Sequence, residues 1–96
     1  MGSGPAGPTG ERPFLGPREM LAHLLTLVDS KVTRPQPLEA TLNAALASIE
    51  RGNSTSAVNQ LRAFQNKVRA QVARSNPVLA RTLIQAAQAI IDALRP

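Results

Sequence analysis

Ninety-six residues, with eleven Lys or Arg against six Asp or Glu and a formal net charge of +5, allow one small basic domain at most. The absence of cysteine excludes disulfides, thiolate metal sites and a cysteine nucleophile. Aromatics make up 2%, Trp and Tyr are missing, and strand formers never alternate, so the expected class is all-α.

Residues 1–16 are rich in Gly and Pro and are expected to be disordered, either a linker or the end of a collagen-like stretch. Gly4-Pro5-Ala6, Gly7-Pro8-Thr9 and Gly10-Glu11-Arg12 form three Gly-X-Y triplets. A triple helix needs glycine at every third position, because only Gly fits at its axis. The register fails at Met1 and at Pro13. Met1-Gly2-Ser3-Gly4 lacks the basic and apolar regions of a signal peptide. No apolar run approaches the ~18 residues of a membrane span.

Residues 17–96 are expected to form the folded domain. The first helix is predicted over Pro17–Lys31, with Gly16 at its cap and Pro17 at N1, where a missing N–H costs nothing. Met20, Leu21, Leu24, Leu25, Leu27 and Val28 keep to the helical period. Val32-Thr33-Arg34-Pro35-Gln36 ends this helix and leaves the direction of the next one open. The second helix is expected to begin with Pro37 at N1 and to bury Leu38, Leu42, Ala45, Leu46 and Ile49. Gly52 is placed to end it in the left-handed conformation, and Asn53 or Ser54 to cap the third helix at once. So tight a connection makes the second and third helices antiparallel neighbours.

The third helix is predicted over roughly 54–73, with Ala57, Leu61, Phe64, Val68 and either Val72 or Gln71 inward. Asn76 as N-cap and Pro77 as N1 open the fourth, whose stripe is Ala80, Leu83, Ile84, Ala87, Ile90, Ile91 and Leu94. The simplest arrangement is an up-down-up-down four-helix bundle preceded by the disordered Gly/Pro-rich segment.

Charge is unevenly spread. Residues 1–50 carry four basic and five acidic side chains, and residues 51–96 carry seven basic and one acidic. Arg62, Lys67, Arg69, Arg74 and Arg81 occupy a stretch without an acid, interleaved with Gln60, Gln65, Asn66 and Gln71. They are the candidate polyanion-binding residues, since cations in a row can contact phosphates. A solvated basic face and a protein-partner surface are the other readings. No exposed aromatic in this stretch offers base stacking, and Phe64 is spaced as a core residue.

Catalytic and metal chemistry find no foothold. His23 is the single histidine, with Glu19 as the one acid on its face, and reads as a surface side chain. Ser30, Ser48, Ser54, Ser56 and Ser75 fall at caps, turns or helix surfaces. Asp29, Asp92, Glu39 and Glu50 show no pairing pattern for acid–base work. No glycine-rich phosphate loop is present, and neither an enzyme nor a cofactor is expected.

Three segments carry a resemblance. They are Asn43–Asn53 with its Gly52-Asn53 turn, Ala57–Val68 with Gln60-Leu61-Arg62-Ala63-Phe64, and Leu83–Ile91. Together they resemble the FIMAH domain, a small helical module appended to bacterial and archaeal extracellular proteins, including hydrolases and adhesins. The resemblance covers roughly residues 20–94. It implies a turn at Gly52 and Asn53, a core around Leu61 and Phe64, no catalytic residues, and an extracellular or cell-surface location. The expected function is then a non-catalytic accessory or interaction module. Its partners would be other domains of its parent protein, a cell-surface component or a polyanion. The alternatives are a basic domain binding nucleic acid or another polyanion, and an oligomerisation unit for a collagen-like stalk.

Overall fold

The computed structural model describes residues 16–95. The Gly-X-Y triplets lie outside the described residues, as does all of the expected disordered segment except Gly16. Helix α1 spans Pro17–Lys31, with Gly16 at its cap and the Gly16 carbonyl accepting from Met20 N at 3.0 Å. Leu21, Leu24 and Val28 are buried on one stripe, and His23 is exposed.

Helix α2 spans Gln36–Glu50 and begins one residue earlier than expected. Pro35 is its cap, accepting from Glu39 N at 2.8 Å, so Pro37 stands at the second helical position. The first-turn N–H groups of a helix have no partner inside it, so proline is as cheap there as at the first position. The buried set is Leu38, Thr41, Leu42, Ala45 and Ser48. Leu46 and Ile49, expected inward, are only half-buried.

Arg51, Gly52 and Asn53 connect α2 to helix α3, Ser54–Gln71. Gly52 has φ +77°. Its N–H donates to the Ile49 carbonyl at 3.0 Å, and Asn53 N–H donates to the Ser48 carbonyl at 2.8 Å. This pair of bonds is the Schellman motif, which satisfies the last carbonyls of α2. The Asn53 side chain then accepts from Ser56 N at 3.1 Å, capping α3. Helix α3 ends two residues earlier than expected, and Val72–Ser75 turn toward Asn76. Asn76 caps helix α4, Pro77–Leu94, by accepting from Leu79 N at 3.1 Å.

Consecutive helices pack on one another, and α4 closes the ring against α1, with no diagonal pairing. Thr41 meets Lys67 while Ser48 meets Gln60, so α2 and α3 run in opposite directions. The short connection at residues 32–35 and the packing of α1 on both α2 and α4 make α1 antiparallel to α2. The architecture is an up-down-up-down four-helix bundle, and the described residues contain no strand. Phe64, Leu21, Leu38, Leu42, Leu61, Leu83, Ile90 and Ile91 are fully buried in one core that draws on all four helices. Each such side chain contributes about 1.5–3 kcal/mol by leaving water.

Candidate functional site

The five candidate cations do not form one site. Helical geometry starts the division. Arg62 and Arg69 are seven residues apart and lie within about 20° of each other around α3, whereas Lys67 is turned about 140° away from Arg62. Arg62 and Arg69 are exposed. Lys67 is half-buried on the α2 side, where its Nζ donates to Thr41 Oγ1 at 2.7 Å. Thr41 Oγ1 in turn donates to the Pro37 carbonyl at 3.2 Å. Lys67 therefore serves as a tie between α2 and α3.

Arg81 joins Arg62 and Arg69. Gln65 Nε2 donates to the Ile84 carbonyl at 3.1 Å and to Gln88 Oε1 at 3.2 Å, which sets the register of α3 on α4. Arg69, one turn past Gln65, and Arg81, one turn before Ile84, accordingly stand near one level. Arg81 is seven residues before Gln88 and shares its α3-facing side. Arg69 Nη1 donates to Asn66 Oδ1 at 3.0 Å, which steadies it on the surface. The face also holds an acid, Asp92, whose carboxylate accepts from Gln88 Nε2 at 3.0 Å.

Two interleaved polar residues leave the proposed surface. Gln65 is 6% exposed and is spent on α4, and Gln60 accepts from Ser48 Oγ at 2.9 Å. Ser48 itself, expected on a helix surface, is fully buried between α2 and α3. Its hydroxyl lies 3.2 Å from Ser56 Oγ and accepts from Arg51 Nη2 at 3.3 Å. A buried hydroxyl needs such partners, because leaving it unpaired costs about 1–3 kcal/mol.

Arg74 goes to a third place. In an up-down-up-down bundle the α1–α2 and α3–α4 connections share one end, opposite Gly52. Here they flank an open cleft of about 770 Å³, lined among others by Lys31, Arg34 and Arg74, with Val32, Val72 and Leu79 as apolar lining. All three cations are exposed, and no acidic residue among the described residues lines the cleft. Lys31 and Arg34 belong to the acid-richer half of the chain, so a count of charge along the sequence passes over them.

Asp29 and Glu39, for which the sequence shows no pairing pattern, meet across α1 and α2. Desolvation of Glu39, followed by the hydrogen bond and like charge of Asp29, pushes the Glu39 carboxyl above its ordinary value. No group of three or more His, Cys, Asp or Glu among the described residues is placed to hold a metal ion. No helix among them is long and apolar enough to cross a membrane. No protein-family model, curated protein or solved structure matches this chain.

Proposed function

We propose that this chain is a non-catalytic accessory or interaction module of a bacterial secreted or surface protein. One observation carries the reading: the polar side chains divide by role. Ser48, Gln60, Gln65 and Lys67 are spent on joining helix to helix, while Arg62, Arg69, Arg81, Lys31, Arg34 and Arg74 stand exposed. Chemistry offered to a partner is thereby concentrated on the outside of the bundle. The FIMAH resemblance supports the extracellular half of the reading, and its motif residues have physical uses here. Gly52 and Asn53 make the turn, and Leu61 and Phe64 are fully buried. Tagging the chain at its natural locus and treating intact cells with protease tests the location. Loss of the tag is expected, and a tag that survives until lysis rejects a surface or secreted protein.

A second reading, polyanion binding, rests on the shared placement of Arg62, Arg69 and Arg81 on the α3–α4 face. Retention of the protein on heparin or a DNA duplex at low salt, lost with Arg62→Glu and Arg69→Glu together, supports it. Absence of retention at low salt removes it. For the third reading, a stalk oligomerisation unit, a monomer in sedimentation velocity is decisive against.

A further inference from the structure

We propose that the cleft between the α1–α2 and α3–α4 connections binds an acidic peptide segment bearing an aliphatic side chain. The site is separate from the α3–α4 arginine face. Three cations reach it from three segments: Lys31 from the last turn of α1, Arg34 from the first connection and Arg74 from the second. Lys67 and Arg69 bond to Thr41 and Asn66, whereas the three cleft cations carry no such bond to another described residue. Two helices start and two end at this end of the bundle, so their dipoles largely cancel and the local field is that of the side chains. Asp29 and Glu39, close by in sequence, pair with each other and are not part of the lining.

The apolar lining narrows the ligand further. Val72 is buried, and Val32 and Leu79 pack partly buried against the core. A purely anionic polymer makes no use of such a lining. Nor does the lining, among the described residues, include an aromatic on which a nucleic-acid base would stack. A carboxylate-bearing peptide with a leucine or valine between its acids satisfies both parts, with acids on the cationic rim and the aliphatic group on the lining. The volume of about 770 Å³ lies within the range of ligand-binding clefts.

The test uses a short fluorescein-labelled peptide alternating glutamate and leucine, titrated with the whole chain at low salt and followed by anisotropy. Saturable one-to-one binding is expected. Arg34→Glu with Arg74→Glu should weaken it about tenfold, a size expected of rim charges. Arg62→Glu with Arg69→Glu, on the other face, should change it less than about twofold. These residues are exposed, and circular dichroism verifies that both variants remain folded. A matched all-glutamate peptide should bind several-fold more weakly. Equal losses from the two pairs, equal binding of the two peptides, or no saturable binding would each overturn the proposal. None of these results touches the cellular location tested above, so the two readings fail separately.

Discussion

The two ends of the bundle solve the same problem differently. At one end, α2 passes to α3 through Arg51, Gly52 and Asn53, with each backbone bond of the Schellman turn made and the next helix capped at once. At the other end, two longer connections, residues 32–35 and 72–76, leave an open cleft between them. The tight end turns on one residue in the left-handed region, Gly52. The open end distributes its constraints over Pro35, Asn76 and the turn at Val72–Ser75, and leaves three cations exposed. A tight turn and an accessible cleft stand at opposite ends of one core.

The largest expected effect lies between the ends. Phe64 is fully buried in the core that both ends enclose, so Phe64→Ala should cost roughly 3–5 kcal/mol in chemical denaturation. A loss near 1 kcal/mol would mean that the middle is far looser than its burial states.

Gly52→Val comes next and addresses the tight end alone. A Cβ at Gly52 meets nothing within 4 Å, so the cost is that of the backbone at φ +77°. It should amount to about 2 kcal/mol, and Gly52→Asn should cost much less, because Asn tolerates the left-handed region. Equal stability of the Val and Asn variants would refute a left-handed turn.

Asn53→Ala and Asn76→Ala put the ends side by side. Each removes a side-chain cap on the third backbone N–H beyond it, at 3.1 Å in both cases. Each should cost about 1 kcal/mol by thermal or urea unfolding. If Asn76→Ala is neutral while Asn53→Ala is not, the open end is held by its turn rather than by its cap.

The smallest effect is electrostatic. The raised pKa of Glu39 means that the folded chain holds this proton more firmly than the unfolded chain. The corresponding stability is present below the ordinary carboxyl pKa of 4.5 and is lost as pH rises through the raised value. Asp29→Asn removes the like charge, so the variant should melt higher than the wild type at neutral pH. The gap should shrink on acidification to about pH 4. A gap unchanged with pH would show that Asp29 acts other than through its charge.

Much of this fold is local and was therefore legible. Proline at the helix starts, Gly52 at a stop, Asn53 and Asn76 at caps, and the apolar period each act within a few residues of where they stand. They delimit α1 to the residue and the other helices to within two. Ser48 and Gln65 were not legible in this way, since a buried polar side chain is tolerable only with a partner from another helix. Those partners, Gln60 and Gln88, are known only once the register is set. The candidate site divided partly for the same reason. Helical geometry alone puts Arg62 and Arg69 on one face and turns Lys67 away from them, but only packing gives Lys67 its partner Thr41 and brings Arg74 beside Lys31 and Arg34. By itself the sequence determined four helices, their caps and the Gly52 turn, because those depend on short-range sterics and backbone hydrogen bonds. Only the tertiary structure decided which cations stand together, because that depends on which connections share an end of the bundle.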